Sequence, residues 1–197
     1  VWRTPGGEAV LTLPGEYSDA AYTADGREIV TASTEGVHIR DVATGSQVGT
    51  LQADRSGTTI AVDPDGKRFA TLESGNVAYL WDAPTRKLLA RLAHDETFEA
   101  LVEMPDWNSW NSYIVTPQQL NVDVVSVNFS PDGTRVITTA NDSTARVWDA
   151  ATGELLHSLL IDQMVWDGAI SADNTRAATF SSMGSYTDGG VLKGESN

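Results

Sequence analysis

Four short segments of this chain superimpose without a gap: TADGREIVTAS from Thr23, DPDGKRFATLE from Asp63, SPDGTRVITTA from Ser130 and SADNTRAATFS from Ser171. They bring Asp25, Asp65, Asp132 and Asp173 into register, and six residues after each comes a threonine: Thr31, Thr71, Thr138 and Thr179. A fixed period constrains a fold more than any local propensity, because each copy must bury its apolar face on the next. Asp-Gly and Asp-Asn supply residues that tolerate positive φ, and the flanks are rich in Val, Ile, Phe and Thr with partial alternation. Each segment is predicted to be strand, tight turn, strand.

A second signature follows each of the first three. ARVWDAATGELLHSL from Ala145 is echoed by AYLWDAPTRKLLARL from Ala78, more loosely by VHIRDVATGSQVGTL from Val37, and again by VWRTPGGEAVLTL at the start. Alternating apolar residues run into an aromatic-acidic pair, a turn of Thr, Pro or Gly, and a further alternating strand. One unit is thus four antiparallel strands. Asp25 to Asp65 is 40 residues and Asp132 to Asp173 is 41, the spacing of propeller blades at about 40 to 45 residues. Asp65 to Asp132 is 67, longer than one period by about 26 residues. Residues 93–121 are therefore an insertion or a vestigial blade. Within them, HDETFEALVEMPDW from His94 reads either as a strand ending at Pro105-Asp106, with a second strand over Tyr113 to Thr116, or as a short helix with Phe98, Leu101 and Val102 on one side.

Ser130-Pro131-Asp132-Gly133 and Val147-Trp148-Asp149-Ala150-Ala151-Thr152-Gly153 resemble the WD-40 repeat β-propeller family in its bacterial style. The resemblance implies an all-β propeller of four-stranded antiparallel blades: a blade end at 1–13, blades at 17–51, 57–92 and 122–159, and a partial blade at 163–197. About four blades are represented, one split between the termini. Three arrangements are open: part of a larger ring, which is the preferred one, a half-ring that pairs with a second chain, or a four-bladed ring. Members of the family often share a buried set of His, Ser or Thr, Asp and Trp. Here the resemblance puts Thr138, Asp142 and Trp148 in three of those places, with Leu120 where the histidine would stand. The middle unit keeps Thr71 and Trp81 but has Gly75 for the acid, and the first has Arg40 for the tryptophan. These residues, with Asp82 and Asp149, are expected to be structural, and the blades to depend more on apolar packing than on that network.

The chain has 13 basic and 27 acidic residues, a net charge of −14 and no cysteine. Such a surface repels phosphate backbones and anionic headgroups, which argues against nucleic acid and membrane and favours a protein or peptide partner, basic if the acidic run Asp95, Glu96, Glu99, Glu103, Asp106 takes part. Absence of cysteine removes thiol catalysis and thiolate metal sites. His38, His94 and His157 lie in different repeats, none beside a nucleophile motif, and Gly189 to Gly194 lacks the order of a phosphate loop. Asp63-Pro64-Asp65-Gly66 lacks the further ligands of a calcium loop. No catalytic residue, cofactor or metal is expected, and the start of the chain gives no location beyond a weak preference for the cytoplasm.

Trp107-Asn108-Ser109-Trp110-Asn111-Ser112-Tyr113 places an aromatic at every third position among amides and hydroxyls, the composition of binding surfaces. Trp107, Trp110 and Tyr113, with Tyr17 and Arg55, are the candidate partner contacts; the alternative is that the rings cover a blade edge. The functional expectation is a non-catalytic interaction scaffold, as part of a larger signalling protein, with self-association as a way to complete the ring. The competing class is a propeller hydrolase or small-ligand receptor that gathers acidic residues in a central funnel.

Overall fold

The computed structural model describes residues 1, 6–51, 57–73, 75–94, 99–103, 113–117, 122–161 and 164–181, with the backbone alone at 57–58, 99–103 and 113–117. Every regular element among these is a strand. The first sheet is β1 (Asp19–Tyr22), β2 (Glu28–Ser33), β3 (Gly36–Asp41) and β4 (Gln47–Leu51); the second is β5 (Gly57–Val62), β6 (Arg68–Glu73), β7 (Val77–Asp82) and β8 (Leu88–Ala93). The pair β9 (Glu99–Glu103) and β10 (Tyr113–Pro117) comes next, then the third sheet, β11 (Val124–Phe129), β12 (Arg135–Ala140), β13 (Thr144–Asp149) and β14 (Leu155–Leu160). The pair β15 (Val165–Ile170) and β16 (Ala177–Ser181) ends the series. Each four-stranded sheet is an antiparallel meander in chain order, as propeller blades are.

Local chemistry explains the repeated turns. In the first hairpin of a unit the Asp carboxylate closes the loop: Asp25 Oδ1 accepts from Thr23 Oγ1 at 2.8 Å and from the Arg27 amide at 3.0 Å. Asp132 does the same for Ser130 Oγ and the Thr134 amide, and Asp173 for Ser171 Oγ and the Thr175 amide. The residue after the Asp takes the left-handed conformation, φ 66° at Gly66 and 56° at Asn174. In the second hairpin Asp41, Asp82 and Asp149 each accept from a backbone amide three residues on, at 2.8 Å, and so fold the Thr-containing loop. Asp63, which stands where the other turns have Ser or Thr, receives the Arg68 amide at 3.2 Å and the Arg68 side chain at 2.9 Å. Its carboxylate is fully enclosed, and Arg68 reaches on to the Gly133 carbonyl of the next unit at 2.7 Å.

Neighbouring sheets share their cores. Val30, Ile39 and Leu51 of the first pack with Ile60, Phe69 and Trp81 of the second. Leu72, Leu80 and Leu92 of the second pack with Val127, Val136 and Trp148 of the third, and Ile137 and Val147 of the third with Ile170 and Ala177 of the final pair. The second and third sheets therefore meet face to face. β9 and β10 form an antiparallel pair, and since Glu99–Glu103 is a strand the helical alternative is corrected for Leu101 and Val102, while Phe98 lies outside the described residues. The sheets form an open arc. Beyond its far end Trp166 and Phe180 are exposed, 47% and 56%.

Candidate functional site: the slot between a sheet and the strand before it

The third sheet faces β8, the last strand of the preceding unit, across a narrow slot. In the third sheet β12 and β13 pair with Thr138 opposite Arg146 and Val136 opposite Trp148, so Thr138, Arg146 and Trp148 share the face turned toward β8. One residue past β8, His94 enters that slot. Its Nε2 lies 2.8 Å from Thr138 Oγ1 and its Nδ1 3.1 Å from Thr144 Oγ1 and 3.6 Å from Asp142 Oδ2. Trp148 Nε1 donates to Thr138 Oγ1 at 2.8 Å, and Thr144 donates to Asp142 from both its amide and its hydroxyl. One proton arrangement satisfies this set: Trp148 donates to the Thr138 oxygen, the Thr138 hydroxyl donates to Nε2, and the Nδ1 proton faces Thr144 and Asp142. Arg146 ties the same strands together by donating to the Ala93 carbonyl at 3.0 Å.

The imidazole beside Thr138 thus comes from His94 and not from position 120, and Leu120 lies outside the described residues. With it the third unit holds a complete four-residue network, where the sequence had offered only Thr138, Asp142 and Trp148. Hydroxyl, imidazole and carboxylate in this order have the connectivity of a nucleophile triad. Here, however, His94 and Thr138 are 1% and 0% exposed and the Thr138 oxygen already accepts the indole proton. A substrate carbonyl has no route to that oxygen, so the set acts as a buried brace. Burial by itself would raise the Asp142 carboxyl, but the hydrogen bonds from His94 and Thr144 outweigh it and hold the group at about 2.

The second sheet keeps part of the brace. Trp81 Nε1 donates to Thr71 Oγ1 at 2.9 Å, both buried, while Gly75 leaves the acid's place without a side chain. The first sheet keeps least. Arg40 takes the register position of the tryptophan, opposite Ile29 as Trp148 is opposite Val136. Thr31 gives its hydroxyl to the His38 carbonyl at 3.3 Å. Tyr17 lies under the Arg40 guanidinium, 5.7 Å from its carbon to the ring centre, and donates its hydroxyl to the Pro14 carbonyl at 2.7 Å.

Of the other residues singled out in the sequence, Trp107, Trp110 and Arg55 lie outside the described residues, and Tyr113 is placed only as the first residue of β10, opposite Glu103. His38 Nδ1 is 3.3 Å from Thr50 Oγ1, and His157 is a strand residue paired with Val147. Asp65 accepts from Lys67, which, ahead of the turn amide, holds its carboxyl at about 2. Among the described residues no group of His, Asp and Glu is arranged to hold a metal ion, and no helix is long and apolar enough to cross a membrane.

The model of the WD domain, G-beta repeat, matches residues 106–149, the stretch that ends on the Trp148-Asp149 pair just described. A WD40 repeat thus lies at 106–149. Over 98% of its length it is 24% identical to periodic tryptophan protein 2 of Arabidopsis thaliana, and over 77% it is 22% identical to WD repeat-containing protein 18 of Danio rerio. Over 49% it is 30% identical to the vegetative incompatibility protein HET-E-1 of Podospora anserina. It spans 25%, 32% and 8% of the lengths of these three relatives. The family match begins at 106, twelve residues after His94, so the WD40 brace extends upstream of the matched repeat across the inserted hairpin.

Proposed function

We propose that this chain is a non-catalytic interaction scaffold, and that the hairpin between His94 and β11 carries its partner contacts. The observation behind this reading is that the second and third sheets share a core and a four-residue brace built from described residues outside 95–121, so the connection can vary while the sheets stay joined. WD-repeat proteins in general serve as protein-interaction scaffolds, and one relative above is named as a WD repeat-containing protein. The segment holds Trp107, Trp110 and Tyr113 together with five carboxylates and no Lys or Arg, so a basic protein or peptide is the complementary partner. A signalling protein of which this arc forms one part is the setting proposed for it.

The test is binding of lysine- and arginine-rich peptides of mixed sequence, followed by fluorescence anisotropy as salt is raised. The expected result is saturable binding that weakens with salt and drops at least tenfold when 95–121 is replaced by a short Gly-Ser linker, with the unfolding midpoint unchanged. Equal affinity with and without the hairpin overturns the reading. A second reading, self-association through β15–β16, is favoured by Trp166 and Phe180, two large apolar side chains exposed on neighbouring strands. Sedimentation of Trp166→Ser against the parent chain tests it; identical mass for both, as monomers, overturns it.

A further inference from the structure

The first slot of the arc is not merely a weaker copy of the third. Leu11 and Leu13 lie against Gly45, within 3.0 to 3.2 Å of where its Cβ would be, as Ala90 and Leu92 lie against Gly153. This aligns Gly15 with His94, so the first slot lacks the imidazole. It lacks the indole as well, and the turn that carries Asp142 in the third sheet is replaced by the tighter Ser33–Gly36 hairpin. What remains is a cleft of about 360 Å³ lined by Pro14 to Tyr17, Ser33 to Glu35, His38 and Arg40. That volume is within the range of small-molecule sites. Filling it with a histidine is barred by the backbone, because Gly15 sits at φ 119° with Tyr17 against its face.

The cleft's chemistry selects its ligand. Among the described residues, Arg40 Nε is enclosed and has no acceptor, and Arg40 Nη1 makes only a long contact, 3.5 Å, to the Gly45 carbonyl. A guanidinium so short of acceptors, in the lining of the cleft, calls for a carboxylate, the acceptor that it holds best. A plain anion is disfavoured by Glu16 and Glu35 at the rim and by the net charge of −14. A plain cation leaves Arg40 unanswered. One cationic and two anionic side chains are complemented by one carboxylate and two cationic groups, with the Tyr17 ring available to an aliphatic chain. We propose that this cleft binds a basic amino acid, free or as the C-terminal residue of a peptide, with its carboxylate on Arg40, its side-chain cation at one of Glu16 and Glu35 and, in the free amino acid, its α-ammonium at the other.

The proposal does not depend on the hairpin. Its test is calorimetric titration of the whole chain with free lysine, with lysinamide, and with Gly-Gly-Lys. Saturable binding of lysine or of the tripeptide is expected, the stronger of the two naming the source, and lysinamide should bind at least tenfold more weakly. Arg40→Gln should weaken binding at least tenfold, and removal of 95–121 should leave it unchanged. Arg40→Trp, which fills the cleft as Trp148 fills its own, should abolish binding without lowering the unfolding midpoint. Should Arg40→Gln fail to fold, the exposed Glu35→Gln is expected to weaken lysine several-fold with its unfolding unchanged. No saturable binding of either probe by about 10 mM, a limit that corresponds to the weakest affinities worth a site, overturns the proposal. So does equal affinity for lysine and lysinamide.

Discussion

In the third sheet four side chains from two units close the slot around Thr138, whereas in the first the corresponding slot keeps only Thr31 and stands open as a polar cleft. The turns of the two sheets are nevertheless built alike: Asp25 and Asp132 close one hairpin, Asp41 and Asp149 the other. A turn is solved by residues within a few positions of one another, so every unit can solve it independently. The brace needs a residue from the preceding unit to arrive at the right place. Without that residue a buried threonine-indole-carboxylate set would hold unpaired polar groups, which costs more than abandoning the set. The first unit abandoned it, and Arg40, long enough to keep part of its head near water, took the space.

The largest expected effect breaks this comparison at its centre. Thr138→Val removes the oxygen that accepts from Trp148 and serves His94, leaving two buried groups unsatisfied, and should cost about 2–4 kcal/mol in urea unfolding. Thr31→Val loses only a long bond to the His38 carbonyl and should cost less than about 1 kcal/mol. Equal losses at the two positions would mean that the brace is no more than two adjacent packing contacts. Next in size is a contrast between two turns. A Cβ on Gly66 would fall 1.9 Å from Ala24 Cβ of the preceding unit, at φ 66°, whereas one on Gly26, at φ 67°, meets nothing within 4 Å. Gly26→Ala should cost about 1 kcal/mol from conformation alone, and Gly66→Ala about 2–3 kcal/mol because the packed turns must also separate.

The turns and sheets were legible in the sequence because their causes are local: Asp-Gly in register at Asp25, Asp65 and Asp132, alternation on either side, and the Trp-Asp pairs at Trp81 and Trp148. His94 was not, for a physical reason. It contacts Thr138 from 44 residues away because β9 and β10 intervene, and a search for the histidine just before β11 falls on Leu120 instead. The readable signal lay on the other side of the insertion, where Leu92-Ala93-His94 follows the outer strand. Position 15, at the same offset after Leu13, is a glycine, and that single difference marks the first slot as the open one. The aromatic run at Trp107 to Tyr113 is legible only as composition, since no repeat partner fixes where it points.

Acid should sharpen the comparison further. Asp142 is held at about 2, below the unfolded carboxyl near 3.9, despite burial that pushes the other way. A depressed folded value means that the unfolded state binds more protons as the pH falls. The contribution is therefore complete above about pH 4 and is lost as the pH drops toward 2. Asp173, held at about 2 by Ser171 and Thr175, acts in the same window from the surface. Asp142→Asn should flatten the acid side of a pH–stability curve more than Asp41→Asn, whose carboxylate serves an exposed turn of the first unit. A flatter curve for the latter would shift the acid sensitivity of the arc from brace to turns.

The smallest effect is expected where the arc joins the first sheet to the second. Arg86 occupies the turn position held by Gly45 and Gly153, with φ 59° against their 73°, so it accepts backbone strain that glycine would avoid. Its guanidinium donates to the Val48 carbonyl and to Glu28, both at 2.7 Å, clamping the second unit onto the first. The two terms oppose each other: relief of a left-handed residue gains about 1 kcal/mol, and loss of the half-exposed clamp costs about 1 kcal/mol. Arg86→Gly should leave the midpoint nearly unchanged, while Arg86→Ala, which keeps the strain and loses the clamp, should lower stability by about 1 kcal/mol. If the two substitutions behave alike, the strain is negligible and the clamp alone explains an arginine there. If glycine stabilises, the clamp is worth less than its geometry suggests, and the first sheet is held to the second by the Ile39, Leu51 and Phe69 core.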